Sequence, residues 1–150
     1  MKKISLATVA ALLAAAALSV AALTAGAATN TSVGLRATTL GKVIVDAKGR
    51  TLYLFEKDRN GRSSCSGACA AAWPPATVSG KATVGNGLTA KLLKTIKRSD
   101  GSTQLVYNGH PLYRFINDKN KPGATKGQGL NAFGAAWYVV GANGKKIDKS

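Results

Sequence analysis

Acidic residues are scarce in this chain: six Asp and Glu stand against 21 Lys and Arg in 150 residues. The six are spread singly, so the sequence offers no twinned carboxylates for general acid/base work. Histidine occurs once, as His110, and cysteine twice, as Cys65 and Cys69. His110 follows an Asn-Gly turn, and no serine is visibly paired with it. An exposed turn residue is therefore the simpler reading of His110 than a base or a ligand. The glycines at 123, 127 and 129 follow no strand and precede no Lys-Ser/Thr, which excludes a phosphate cradle.

Only one long apolar run exists, and it is N-terminal. Lys2-Lys3 precede an Ala-, Leu- and Val-rich stretch from Ile4 to Leu23. Ala25-Gly26-Ala27 then supplies the small-x-small pattern of a signal-peptidase site. We expect a signal peptide over residues 1–27, cleaved near Ala27, and no transmembrane span in the mature protein. No cysteine near that site offers an acceptor for a lipid, so the expectation is a soluble exported protein, periplasmic or extracellular. Without Lys2 and Lys3, 19 basic residues face six acidic ones, a net charge of +13. A charge of that sign attracts polyanions. Anionic cell-envelope polymers or lipid headgroups are the expected partners. The lysines are scattered through loops without a dense block, which speaks against specific nucleic-acid recognition.

What is abundant is self-similarity. Leu52-Tyr53-Leu54-Phe55-Glu56-Lys57-Asp58 returns sixty positions later as Leu112-Tyr113-Arg114-Phe115-Ile116-Asn117-Asp118. Each copy runs through an Asn/Gly-containing loop to an Ala-Ala-Trp, ending at Trp73 and Trp137. A repeat of this kind sets the architecture before any other signal. Residues 28–40 lack periodicity and large apolar side chains, and read as a flexible lead-in. The remainder, 41–150, reads as a single domain of two repeats, about 41–80 and 94–144.

Strand signals dominate both copies. Val43-Ile44-Val45 and Arg50 to Phe55 flank a turn at Asp46 to Gly49, and Thr103 to Tyr107 and Leu112 to Phe115 flank Asn108-Gly109. Pro111 belongs at a strand start or an edge. Further hairpins are expected around Ser99-Asp100-Gly101 and Ala142-Asn143-Gly144. A short helix is expected over Ala90 to Lys94, capped by Thr89. Alternation puts Tyr53 with Phe55 and Tyr113 with Phe115 on one face. The opposite face carries Arg114 in the second copy, so the aromatic face is assigned to the shared core. The fold class expected is all-β: two related β-repeats in one mainly antiparallel sandwich or squashed barrel with short helical turns, its core closed by Trp73 and Trp137.

Asp58 and Asp118 each stand three residues after the Phe of their copy. An Asp there accepts hydrogen bonds from backbone N–H groups and shapes the turn. A calcium loop is the sharper alternative, but the later carboxylates and the bidentate Glu of such loops are missing. Cys65 and Cys69, four apart in an exported chain, read first as a disulfide. A redox dithiol remains open, although the spacing has three intervening residues rather than two. So does a metal site using Cys65, Cys69 and His110, which would be short of one ligand. Haem attachment needs a His after the second Cys, where Ala70 stands, and no cofactor is expected.

Taken in order, Tyr53-x-Phe55-x-x-Asp58, Cys65-Ser66-Gly67-Ala68-Cys69 to Trp73-Pro74-Pro75, Arg98-Ser99-Asp100-Gly101, Tyr107 to Tyr113, Phe115-x-x-Asp118, Gly127-Gln128-Gly129 and Trp137 to Val140 resemble a bacterial secreted-repeat family. Its members are described as predicted lipoproteins with a Tyr-x-(Phe/Trp/Tyr)-x-x-Asp motif. The resemblance implies an exported envelope or extracellular protein of unassigned activity and supplies no catalytic residue. The function expected is a non-enzymatic binding or structural module with a basic surface for anionic envelope material. The alternative is a periplasmic redox or metal-handling protein using Cys65 and Cys69.

Overall fold

The computed structural model describes residues 31–149, so the expected signal peptide lies outside the described residues. The chain opens on a hairpin of β1 (Val33–Thr38) and β2 (Gly41–Asp46), registered from Val33 opposite Asp46 to Thr38 opposite Gly41. β3 (Tyr53–Phe55), β7 (Asn131–Ala132) and β8 (Ala135–Val139) form a second sheet in the order β3-β8-β7. β4 (Leu93–Lys97), β5 (Thr103–Tyr107) and β6 (His110–Pro111) form a third in chain order. Among the described residues the helical content is one short helix, α1 (Ala68–Ala72), and two single 3-10 turns, Ala90–Leu92 and Ile116–Asp118. The protein is thus all-β and mainly antiparallel, built from two repeats. Among the described residues the three small sheets, joined by isolated bridges, form no closed barrel.

Several local expectations are corrected. Residues 33–38 are not a lead-in but strand β1. Val33 is fully buried and pairs on both sides: it faces Asp46 in β2, and its carbonyl accepts the Gly85 N–H at 2.8 Å. The strand escapes a pattern search because pairing, rather than apolar alternation, holds it. The helix expected over Ala90 to Lys94 shrinks to the 3-10 turn Ala90–Leu92, because Leu93 and Lys94 are drawn into β4. Thr89 makes no side-chain cap there; its N–H donates to the Tyr107 hydroxyl at 2.9 Å.

Leu112 to Phe115 does not form a regular strand either. Three successive N–H groups go to three different segments: Leu112 to Leu105 O at 2.9 Å, Tyr113 to Tyr53 O at 3.0 Å and Arg114 to Pro74 O at 2.8 Å. The stretch is a junction. Its centre is the reciprocal pair Tyr53–Tyr113, where each backbone N–H donates to the other's carbonyl, at 2.8 and 3.0 Å. The two copies therefore meet at the same residue of each, which makes this pair the pivot of an approximate two-fold relation.

Both faces of the junction are buried. One side holds Tyr53, Phe55, Tyr113, Trp73, Trp137, Val43, Val45, Val139 and the two cysteines. The other holds Leu52, Leu54, Leu112, Leu105, Tyr107, Ile44, Val33 and Val140. The single aromatic core anticipated from the repeat is thus one of two. Phe115, expected inside with Tyr113, is only half-buried, because the chain turns into Ile116–Asp118 directly after it.

Candidate functional site

The aromatic side of the junction is organised by exchange between the copies. Phe55 of the first copy stacks on Trp137 of the second at 4.0 Å between ring centres. Phe115 of the second stacks on Trp73 of the first at 4.2 Å. The two tryptophans stack on each other at 3.9 Å and 4°. The result is a four-ring column, Phe55–Trp137–Trp73–Phe115, with Tyr53 edge-on to Trp73 at 5.4 Å and Tyr113 edge-on to Trp137 at 5.2 Å.

The aspartates are exchanged in the same way. The Tyr53 hydroxyl donates to Asp118 Oδ2 at 2.7 Å, and the Tyr113 hydroxyl to Asp58 Oδ2 at 2.8 Å. Each carboxylate spends its other oxygen on the loop of its own copy. Asp58 Oδ1 accepts the Ser64 N–H at 2.7 Å, and Asp118 Oδ1 accepts the Lys126 N–H at 2.9 Å. The aspartates therefore shape their loops and also latch one copy to the other. Both are buried. Burial is the main influence on each carboxyl and pushes it above the usual Asp range, against the pull of these hydrogen bonds. Burial and the facing carboxylate likewise push both tyrosines well above the usual phenol range. Neither phenol is a ready acid or base near neutral pH.

The loop after Gly61 carries Cys65 and Cys69, joined in a disulfide across a Cα separation of 5.2 Å. Their exposures are 1% and 6%, so an attacking thiolate has little access to either sulfur. Bonded to each other, the sulfurs offer no thiolate to a metal, and His110 lines a different cleft from Cys65. Arg98 ties this loop to the second copy. Its Nη2 donates to Cys65 O at 2.7 Å, and its Nη1 donates to Ser63 Oγ at 2.9 Å and Gln104 Oε1 at 2.8 Å. Gln104, fully buried, passes the chain on to Leu112 O at 2.9 Å. Ser63 Oγ also lies 2.6 Å from the Tyr113 hydroxyl. Closing a loop this short limits the unfolded chain only slightly. A Cys65→Ser/Cys69→Ser variant should lose about 2 kcal/mol in chemical denaturation, and the native bridge should survive a glutathione buffer. Ready reduction in that buffer would restore the redox reading.

Ser63 and Gln104 stand in no sequence motif, and Arg98 and Gly127, although they fall within the family-like stretches Arg98-Ser99-Asp100-Gly101 and Gly127-Gln128-Gly129, carry no individual role there. Gly127 has the clearest physical warrant: a Cβ built there would lie 2.7 Å from Trp73 and 2.9 Å from Tyr53. Its N–H approaches the Tyr53 hydroxyl at 3.3 Å. Only a glycine lets the backbone reach that phenol.

Two clefts flank the junction, and corresponding positions of the two copies line them. The larger, about 490 Å³, includes Leu54, Asp58 and His110. Burial holds the His110 imidazole below its usual range, with Asp58 pulling the other way. The smaller, about 290 Å³, includes Arg50 and Arg114, the counterparts of His110 and Leu54 in the other copy. No group of three or more His, Cys, Asp or Glu is placed to hold a metal ion among the described residues.

A family model described as a secreted repeat of unknown function matches residues 34–77 and 94–141. The chain belongs to that family. The first matched segment starts within β1, in keeping with its place in the fold. This secreted repeat finds no match among curated proteins or among solved structures. Membership makes it an exported protein of unassigned activity. No helix of the described residues is long and apolar enough to cross a membrane.

Proposed function

We propose that this secreted repeat is a non-enzymatic binding module that engages anionic polymers of the cell envelope through its basic exterior. One asymmetry of burial carries the reading. Two of the six carboxylates, Asp58 and Asp118, are withdrawn into the interior, whereas every lysine among the described residues is exposed. The exterior therefore keeps its full complement of lysine charge, while part of the acidic charge is turned inward. Of these lysines, Lys146 is ion-paired, to Glu56 at 2.7 Å and Asp148 at 3.5 Å. The motif residues themselves are absorbed by packing and latching, which leaves the repeat free to act as a rigid carrier of charge. Export, with the signal peptide cleaved near Ala27, places that charge where such polymers are found.

Attraction of this kind is screened by salt, with a Debye length of about 10 Å at 0.1 M and about 3 Å at 1 M. The protein should be retained on a heparin-type or wall-polymer resin at low ionic strength and should elute well before 1 M NaCl. Flow-through at low salt, or retention that ignores salt, would defeat the proposal.

A further inference from the structure

The two clefts beside the junction are unlike in one chemical respect. Where the first copy places Leu54, 3% exposed, in the apolar core, the second places Arg114, half-buried at the edge of the smaller cleft. Where the second copy has His110, the first has Arg50. Arg50 is satisfied: its Nε and Nη2 reach Asp46 Oδ2 at 2.7 and 2.6 Å. Asp46 is thereby used up, since its Oδ1 accepts the N–H groups of Lys48 at 2.9 Å and Arg50 at 3.0 Å. Arg114 is not satisfied. Among the described residues no hydrogen bond or ion pair holds its guanidinium.

A half-buried cation without an anion, facing a second arginine, is unfavourable for the folded state. Burial and the neighbouring Arg50 both push Arg114 below the usual arginine range, with Asp46 opposing them. A leucine, as in the other copy, would avoid that cost. The rest of the lining explains what would offset it. Lys48 and Lys81 join the two arginines, and the Thr77 and Ser79 hydroxyls add neutral donors. Four cations surround one carboxylate, and that carboxylate is already committed. The volume, about 290 Å³, leaves ample room for one phosphate group.

We propose that this cleft binds a phosphate group, carried as the phosphodiester of an anionic envelope polymer, with the Arg114 guanidinium as its main anchor. A guanidinium presents paired donors that match two oxygens of one phosphate. The lysines and hydroxyl residues line the same cleft from other segments and supply further donors for the remaining oxygens, which a planar carboxylate lacks. The inference rests on the polymer-binding reading and gives it an address.

The test titrates the full exported chain with a poly(glycerol phosphate) oligomer at low salt and compares two variants of equal charge. Arg114→Gln should weaken binding at least tenfold. Lys91→Gln, exposed and outside the cleft, should weaken it less than twofold. Arg114→Gln should fold with a melting temperature equal to or above that of the wild type, and should lose the thermal upshift that the oligomer gives the wild type. Lys81→Gln, altered only at an exposed side chain of the cleft, provides a second arm and should lose roughly threefold. Equal losses for the cleft variants and Lys91→Gln would overturn the site while leaving the wider proposal standing. A wild type that ignores the oligomer and the anionic resins alike would overturn both. Equally tight, Arg114-dependent binding of a polygalacturonate oligomer would refute the preference for phosphate.

Discussion

Trp137→Ala should cost about 4 kcal/mol, the largest loss expected from any single side chain here. The ring is fully buried, sandwiched between Phe55 at 4.0 Å and Trp73 at 3.9 Å, and touched edge-on by Tyr113 at 5.2 Å. Its Nε1–H also donates to Ala132 O at 3.0 Å, so truncation strands a carbonyl as well as opening a cavity. A domain of this size has a net stability of only about 5–15 kcal/mol, so the variant should be close to unfolding at 37 °C. Urea denaturation followed by circular dichroism measures the loss. Phe115→Ala is the control, since its ring sits half-exposed at the far end of the same column. It should lose less than half as much. Equal losses for the two would mean that the column is ornament on a core held elsewhere, on the Leu52–Leu54–Leu112 side.

That Tyr53, Phe55 and Tyr113 share a core with Trp73 and Trp137 could be anticipated from sequence, because aromatic residues at matching positions in two copies have few other places to go; the stacking order, and the place of Phe115 at its half-exposed end, could not. The disulfide was similarly legible from a spacing of four in an exported chain. The pairing between copies was not. Each Tyr has an Asp five residues downstream, and the local reading uses that Asp only to shape its own turn. What redirects the phenols is the antiparallel meeting of Tyr53 with Tyr113, which aims each ring at the other copy's loop. That contact spans sixty residues and leaves no trace in local pattern. The second core was hidden for a different reason. Arg114 made the Leu52–Leu54 face look half polar, yet Leu54 and Leu112 are buried and only Arg114 reaches the rim. Strand β1 was hidden because one residue of its six, Val33, is fully buried. The cleft with Arg50 and Arg114 needed both copies in three dimensions, since its two arginines come from different repeats.

The exchange of partners makes a sharp thermodynamic claim. In a double-mutant cycle, Tyr53→Phe and Asp118→Ala should couple by about 1.5–3 kcal/mol, as expected for a buried hydrogen bond to a charged group. Tyr53→Phe and Asp58→Ala, although in the same copy, should be additive to within about 0.5 kcal/mol. Coupling inside one copy but not across would refute the latch. The same pairs carry a pH signature whose sign follows from burial. Both carboxyls are held above the usual Asp range, chiefly because burial disfavours the charged form. A folded state that binds protons more tightly than the unfolded chain is stabilised as pH falls. That contribution is complete below the unfolded Asp value, about 3.9, and is lost as pH rises through the higher folded value. The melting temperature of the wild type, measured against an Asp58→Asn/Asp118→Asn variant that cannot titrate, should therefore gain ground on acidification from neutral toward pH 4. A relative loss over that interval would mean that the Tyr, Ser64 and Lys126 hydrogen bonds outweigh desolvation. The two latches would then favour the ionised carboxylates, and the interior around the junction would be more polar than its packing implies.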